Sequence, residues 1–245
     1  KKSQNYMSSL SPTASFRYSP NNSKNMKNSD VRIDTNNIFS LNRLGTSIEG
    51  GSSITYGIQY AKTDKTDNDI ISASIANIFR PNPDKNLPVK GALNDKNSDV
   101  VGLINFNPNE YLDMSYDFSL DNNLSDKNYE MIKSEIKINN FVSTFEYLNE
   151  NNLAGNTNQS YLLNTSKISN EDDSKSLSFS TRENKTTNVT EFYNLLYQYR
   201  NDCLIAGLEY NKEYYTDGAL KPEESIFFKL TIVPFGQTSS PDIMK

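Results

Sequence analysis

The sequence predicts an all-β fold, an antiparallel transmembrane β-barrel with about twelve strands in this chain. Three observations carry the prediction. Apolar and polar residues alternate, as in "DMSYDFSL", where Met114, Tyr116 and Phe118 are separated by Asp or Ser. Many alternating segments approach the about 9–11 residues that cross a bilayer at a tilt. Only 35% of the 245 residues are hydrophobic and the mean hydropathy is -0.69, as expected for a barrel with a wet interior.

Alternation bounded by turn residues places the individual strands. They are predicted at 12–19, 49–62, 69–80, 98–107, 110–121, 127–139, 141–149, 158–169, 175–183, 190–200, 203–215 and 225–235. Strands of soluble sandwiches are usually about five or six residues long. A β-sandwich or a propeller is the alternative, but the strands are long and no blade repeat is visible.

The connections between strands differ in length. Segments 20–48 and 81–97 are long, whereas the turns at Pro108-Asn109, Asn139-Asn140 and Asn201-Asp202 are tight. Outer-membrane barrels have short periplasmic turns and longer outer loops. We therefore expect a long outer loop at about 20–48, both chain ends on the periplasmic side, and a C-terminal tail at 237–245.

Within the long outer loop, the sequence predicts one helix. Asp34 or Thr35 is suited to cap "NNIFSLNRL", and Gly45 follows at a position that favours helix termination.

Two strands do not alternate cleanly. In "DIISASIANIFR", Ile70 and Ile78 lie in one register and Ile71, Ile75 and Phe79 in the other, and "FVSTFEYL" is mixed as well. A plug, a partner or a covering loop inside the lumen would accept the extra apolar groups. A wrong assignment of register would produce the same pattern.

Composition excludes several function classes. Histidine is absent, which removes Ser-His-Asp catalysis, a histidine general base and histidine metal sites. The net charge is -5 without a basic block, so we expect no nucleic-acid partner. The acidic stretches "DKTDND" and "DNNLSD" lack the complete spacing of a calcium loop and are interpreted as solvated turns. We predict no catalytic residues, no metal and no cofactor, and a protein that is not an enzyme.

Three separated blocks carry a family resemblance. They are "RIDTNNIFSLNRLG" with "EGGSSITYGIQYA", then "NSDVVGLINFNPNEYLDMSYDF", then "TEFYNLLYQYRNDCLIAGLEYNKEYYTDGALKPEESIFFKLTIVPFG". In this order they resemble LptD, the outer-membrane lipopolysaccharide-assembly family, in its alphaproteobacterial type. The resemblance covers about residues 12–236, and its closest block is the C-terminal one.

The resemblance implies a Gram-negative outer-membrane location and a larger protein. Family members have a periplasmic β-jellyroll and a barrel of about two dozen strands, so residues 1–245 are expected to be the C-terminal part of the barrel domain. The family inserts lipopolysaccharide into the outer leaflet. Its implied partners are an LptE-like lipoprotein plug and a periplasmic lipopolysaccharide bridge protein, which reaches the chain through the missing N-terminal domain. A porin-type passive channel is the alternative function; a barrel lipase is disfavoured by the absence of histidine.

The resemblance also implies a lipid exit seam between the first and last barrel strands. The last strand here is "SIFFKLTIVPF", with Ser225, Phe227, Lys229, Thr231 and Pro234 as seam candidates. Pro234 lacks the N–H that a ladder needs, and proline is tolerated at sheet edges. The alternative is that Pro234 only ends the strand.

Cys203 is the single cysteine and a disulfide candidate. It follows the short turn Asn201-Asp202, which the connection lengths place in the oxidising periplasm. An odd cysteine there suggests pairing outside the visible segment, and "DCL" resembles the family position that ties the barrel to the jellyroll. The alternative is a small buried thiol.

Overall fold

The computed structural model describes residues 6–45, 47–66, 68–151, 158–214, 223–233 and 236–239. The described residues form an all-β fold of thirteen strands, and two long connections, at 20–50 and 80–99, lie among them. The strands are β1 (Met7–Ser19), β2 (Gly51–Thr63), β3 (Asp69–Phe79), β4 (Val100–Asn109), β5 (Leu112–Leu120), β6 (Lys127–Ile138), β7 (Phe141–Glu150), β8 (Gln159–Ser169), β9 (Lys175–Asn184), β10 (Val189–Arg200), β11 (Leu204–Glu213), β12 (Glu223–Ile232) and β13 (Gly236–Ser239). A short 3-10 turn covers Lys90–Ala92. No helix in the described part of the chain has the length and apolarity to cross a bilayer.

The strands follow one another in a single sheet, in the order β1 to β13. The pairs β1–β2, β2–β3 and β3–β4, and each pair from β8–β9 to β12–β13, are antiparallel. This confirms the predicted all-β antiparallel class, and the arrangement is consistent with the wall of a β-barrel. Most strand ends lie close to their predicted positions.

The largest difference among the predicted strands is at the start of β1. The prediction began the strand at Pro12, but β1 starts at Met7 and carries Pro12 within it, opposite Ile58. Proline is tolerated inside a strand where its missing N–H is not needed by a second neighbour. Among the described residues β1 pairs only with β2, which meets that condition.

The predicted tail at 237–245 begins as a strand instead. Gly236–Ser239 form β13, which pairs with Lys229–Ile232 of β12. Pro234 and residues 240–245 lie outside the described residues.

The helix predicted after Asp34 is wrong, because this stretch is a series of turns. The Asp34 carboxylate accepts the N–H groups of Asn36 and Asn37 at 2.8 and 2.9 Å, as a cap would. However, the Asn37 and Asn42 side chains then donate to nearby backbone carbonyls, of Arg32 at 2.9 Å and of Gly45 at 2.6 Å. Such local hydrogen bonds offer the backbone an alternative to a helix.

The chain divides into two compact units. Unit 1 comprises Lys1–Asn109, Asp113–Ile132 and Leu148–Gln159, and unit 2 comprises Glu110–Leu112, Lys133–Tyr147 and Ser160–Lys245. All the fully buried apolar side chains of the described chain belong to unit 1. Ser143, Ser176, Gly207 and Ser225 are the buried residues of the described part of unit 2.

Candidate functional site

One face of unit 2 exposes a row of apolar side chains. The strand registers place Ile168 opposite Leu177, Leu177 opposite Tyr197, Tyr197 opposite Leu208, and Leu208 opposite Phe228. Their exposures are 53, 43, 45, 50 and 43% in that order. We call this surface the apolar face of unit 2, and the corresponding surface of unit 1 is called the apolar face of unit 1. Such an extended exposed apolar surface is typical of a contact with a membrane or with another protein.

The apolar face of unit 1 carries the same signature. Leu10 lies opposite Tyr60, Tyr60 opposite Ala73, and Ala73 opposite Ile104. Leu10 is 64% exposed, and Tyr60 and Ile104 are 36 and 37% exposed. Met114 joins this face, because it lines one groove of about 330 Å³ together with Ile104.

The opposite face of unit 1, which we call its polar face, is covered. Two long connections, residues 20–50 and 80–99, lie on it, and we call them the covering segments. They contribute Ile33, Ile38, Leu44, Leu87 and Leu93, which form one buried cluster with Ala76, Ile78 and Val101 of the sheet. Ile78 is 2% exposed. A covering loop therefore explains the extra apolar register of "DIISASIANIFR".

A buried ionic cluster fastens the covering segments to the sheet. The Glu49 carboxylate is bound by Arg43, Arg80 and Arg17, and the Arg43 Nε to Glu49 Oε2 distance is 2.8 Å. The side chains of Glu49, Arg43 and Arg80 are 1, 2 and 2% exposed. Arg43 also donates to Ser53 and Thr55 of β2 at 2.9 and 3.0 Å.

Three arginine side chains surround the single carboxylate of Glu49. Burial alone raises the pKa of Glu49, but the hydrogen bond from Arg43 and the charges of Arg43, Arg80 and Arg17 outweigh it. The pKa of Glu49 is therefore held below its usual range. Sequence reasoning missed this cluster because its members come from three separate segments, β1 and the two covering segments, and share no local pattern.

A second polar cluster surrounds Asp99, which is 1% exposed at the end of a covering segment. Its Oδ2 accepts from Ser119 of β5 at 2.9 Å and from Asn128 of β6 at 2.8 Å. Burial raises the pKa of Asp99, the two hydrogen bonds oppose that rise, and the nearby charges of Asp121 and Asp95 add to it. The net direction is upward, so this carboxyl binds protons more readily than an exposed one.

Further charge contacts join the covering segments to each other and to strands of unit 1. Lys90 Nζ lies 2.6 Å from Asp30 and 2.7 Å from Glu150. Arg32 stacks over the Tyr129 ring, 3.2 Å from its centre, and pairs with Asp117 at 3.6 Å. The polar register of "DMSYDFSL" therefore faces a covering segment, opposite to the side that carries Met114.

The polar face of unit 2 is built differently. Glu146 accepts from Tyr161 at 2.7 Å and pairs with Lys133 at 3.1 Å, and Arg182 pairs with Glu191 at 2.8 Å. The Lys133 and Arg182 side chains are 53 and 38% exposed. This face presents hydrogen-bonding groups at its surface, whereas the clusters of unit 1 are sealed beneath the covering segments.

The two acidic turns use their carboxylates locally. Asp64 Oδ1 accepts the N–H groups of Thr66 and Asn68 at 2.7 and 3.0 Å. Asp121 Oδ1 accepts those of Ser125 and Asp126 at 2.7 and 3.1 Å. These hydrogen bonds lower the pKa of each carboxyl, with the Thr66 side chain and the Asp126 backbone making the largest contributions.

The predicted seam residues lie along β12. Ser225 is 6% exposed and lies opposite Asn211, Phe227 and Thr231 are half-buried, and Lys229 is exposed. Phe227 lies opposite Glu209, on the polar face of unit 2. Pro234 lies outside the described residues. β12 is not the last strand of the sheet, since β13 pairs with its final four residues.

Cys203 is a free, exposed thiol just before β11. Its N–H donates to Asn201 Oδ1 at 3.0 Å, and its carbonyl accepts the N–H of Val233 at 3.0 Å. The exposed position differs from that of a buried thiol, and the disulfide stays a prediction. Cys203 belongs to a turn, whereas the described seam candidates follow β12.

Comparison with known proteins gives one result. The family model "LptD: LPS transport system D" matches residues 1–179. The match includes the first two resembling blocks, whereas the third, at 190–236, lies beyond it. No curated protein matches the chain.

Proposed function

Because the chain belongs to the LptD family of the lipopolysaccharide transport system, we propose that it forms part of the outer-membrane translocon that inserts lipopolysaccharide into the outer leaflet. The family match over residues 1–179 carries this proposal. Membership places the chain in the outer membrane and in lipopolysaccharide transport. The exposed apolar faces of both units are suited to contact with the bilayer. The proposed role is transport without catalysis.

The polar face of unit 2 supports a proposal about the partner. Among the described residues nothing covers this face, and its Lys133–Glu146 and Arg182–Glu191 pairs are partly exposed. A lipoprotein plug of the LptE type would find hydrogen-bonding side chains there. Unit 1 offers no such surface, since its covering segments occupy the corresponding face.

The exit seam is proposed at the C-terminal end of the sheet, along Ser225, Phe227, Lys229, Thr231 and Pro234. Among the described residues, four pairs join β12 to β13, whereas ten pairs join β11 to β12. A short ladder separates at lower cost than a long one, because each strand pair contributes to sheet stability. A seam that opens for a lipid needs such a ladder.

Cys203 is proposed to form a disulfide with the periplasmic part of the full protein. Its exposure leaves the thiol accessible to a partner cysteine. The bond would hold the periplasmic domain, and the bridge protein that binds it, against the mouth of the barrel. Alkylation of the native full-length protein under non-reducing conditions tests it, with mass spectrometry as the readout. Free labelling of Cys203 in assembled protein overturns the tether.

Controlled depletion of the full-length protein in its own cells tests the transport role. Newly made lipopolysaccharide should accumulate inside the cell and disappear from the surface, as measured by pulse labelling and surface digestion. Normal delivery with reduced uptake of small solutes would overturn the proposal in favour of a porin-type channel.

Photo-crosslinkers test the seam separately. A crosslinker at Phe227 should capture lipopolysaccharide during transport, and one at Thr165 on β8 serves as the control within the same unit. Capture at Thr165 without capture at Phe227 would contradict the seam.

A further inference from the structure

A groove of about 800 Å³ lies on the apolar face of unit 1, across β1, β2 and β3. Its floor includes Pro12, Ala14, Ile58 and Ile75. Pro12 lies opposite Ile58, and Ile58 lies opposite Ile75, so the floor continues from strand to strand. Ile58 and Ile75 are 39 and 42% exposed, which means that the floor is open on the outer side of the sheet.

Side-chain size explains the depression. Leu10 and Phe16 lie on the same face of β1 as Pro12 and Ala14. Leu10 is two positions from Pro12 and Phe16 is two positions from Ala14, and alternate residues of a strand share a face. Leu10 and Phe16 are large and are 64 and 71% exposed. The short side chain of Ala14 and the compact ring of Pro12 lie between them, which leaves a channel bordered by larger apolar groups.

One end of the groove is polar. Asn77, Asn97 and Asn122 line it, and we call them the asparagine rim. The Asn77 side chain accepts from the Tyr56 hydroxyl at 3.1 Å, and Asn122 donates to the Asn97 carbonyl at 2.8 Å. No charged side chain is among the described residues that line the groove. The Asn77 amide nitrogen also donates to the Ser98 and Asp99 carbonyls at 2.7 and 3.2 Å. Asn97 and Asn122, which are exposed, therefore supply the neutral hydrogen-bonding groups of the rim beside the apolar floor.

We propose that this groove binds an acyl chain of a lipopolysaccharide molecule in the outer leaflet, with the ester or amide linkage at the asparagine rim. The assignment rests on the proposed function. The groove is continuous with the apolar face that contacts the membrane, and its volume falls within the about 300–1,000 Å³ typical of ligand pockets. A neutral rim suits a carbonyl linkage better than a phosphate, which would call for cationic partners.

The position of the rim selects the leaflet. Asn97 belongs to a covering segment and Asn122 to the turn between β5 and β6, so both lie at the end of the sheet from which the covering segments extend. Longer connections mark the outer side of an outer-membrane barrel. The outer leaflet is where the transported lipid is delivered, and the groove would hold that lipid against the wall of the protein.

Site-specific photo-crosslinking in cells tests the groove in the full-length protein. A benzophenone amino acid at Ile58 reports on the groove, and one at Leu208, which is 50% exposed on the apolar face of unit 2, reports on ordinary lipid contact. We expect several-fold more crosslinked lipopolysaccharide at Ile58. Filling the floor with Ala14→Phe should reduce the yield at Ile58 to that at Leu208.

Ala206→Phe is the matched control, since Ala206 lies two residues from Leu208 on β11, outside the groove. It should leave the yield at Ile58 unchanged. Ile75→Trp fills the floor from another strand and replaces Ala14→Phe if that variant fails to reach the membrane. Outer-membrane level and heat-dependent gel mobility show which variants are assembled.

Three outcomes would overturn the proposal. They are equal lipopolysaccharide yields at Ile58 and Leu208, dominant crosslinking of Ile58 to phospholipid, and an unchanged yield in both filled variants. Failure of the transport role is a different result: lipopolysaccharide would then reach the surface after depletion of the protein. Crosslinking to lipopolysaccharide already in the leaflet remains measurable in that case.

Discussion

Unit 1 and unit 2 share one pattern of strand alternation but use the inward register differently. In unit 1 the covering segments bury Ile78 and Val101 beneath Ile38 and Leu87. In unit 2 the same register carries Glu146, Arg182 and Glu209, which remain partly exposed. Alternation therefore determines which side chains share a face of the sheet. The length and sequence of the connections determine whether that face is shielded from water.

The difference extends to the charges. The Glu49 side chain is 1% exposed and touches three arginines. By contrast, the Lys133–Glu146 pair of unit 2 has side-chain exposures of 53 and 23%. Exposed ion pairs contribute little to stability, while removing one partner of a buried pair is costly because the other charge is left uncompensated. Equivalent substitutions should thus have unequal effects in the two units.

Glu49→Gln is expected to have the largest effect. It leaves Arg43 and Arg80 buried without a counter-charge, and loss of one partner of a buried pair costs about 3–5 kcal/mol. Amide hydrogen exchange of residues 20–50 in the purified protein should report a loss of protection of that size. Glu209→Gln is the control: Glu209 accepts from Asn194 at 2.5 Å on the uncovered face of unit 2. Similar losses at both sites would remove the distinction between the units.

Ile38→Ala tests the apolar part of the same covering. Ile38 is 0% exposed within the buried cluster, and such truncations cost about 2–5 kcal/mol. Leu208→Ala removes a comparable side chain that is 50% exposed on the apolar face. Urea unfolding in detergent, monitored by the amide-exchange protection of residues 20–50, should show a large decrease in the urea midpoint for Ile38→Ala and a small decrease for Leu208→Ala. The reverse order would mean that the cluster does not stabilise the covering segments.

The strands of the sheet could be predicted from the sequence, but the burial of the polar face of unit 1 by the covering segments could not. Period-two alternation identified the long strands and the shared face of Met114 and Tyr116, because that signal is local. It left Ile78 ambiguous, since only the folded segments 20–50 and 80–99 supply its contacts. Arg17 and Arg80 meet Glu49 across separations of 32 and 31 residues, which no short motif reveals. The helix predicted after Asp34 failed because asparagine side chains compete for the backbone.

Asp99→Asn is expected to have a smaller effect with a defined pH dependence. Burial raises the folded pKa of Asp99 above its unfolded value, which lies near about 4 for an ordinary aspartate. The contribution of the Asp99 carboxyl to the stability of the fold is therefore fully present below its unfolded pKa. It is lost as the pH rises through the folded pKa. A permanently neutral asparagine should increase protection of residues 80–99 at pH 7, and the gain should vanish at a pH below about 4.

The pKa of Glu49 is shifted in the opposite direction, downward. The contribution of Glu49 to stability is therefore present above its unfolded pKa and is lost as the pH falls through its folded pKa. Exchange at both pH values, corrected for intrinsic rates, separates the two groups. Lower protection of Asp99→Asn at pH 7, or an equal gain at both pH values, would contradict the assigned shift.

Lys133→Met should have the smallest effect on stability. Lys133 Nζ lies 3.1 Å from Glu146 and its side chain is 53% exposed, so loss of the pair should cost less than about 1 kcal/mol.

The same exposure makes Lys133 a reporter of the uncovered face. An amine-reactive label should modify Lys133 in the isolated protein but leave Lys90 unmodified, because the Lys90 side chain is 9% exposed between Asp30 and Glu150. If a lipoprotein plug occupies the polar face of unit 2, labelling of Lys133 should fall in the assembled complex while Lys90 is unchanged. Undiminished labelling of Lys133 in that complex would place the plug elsewhere.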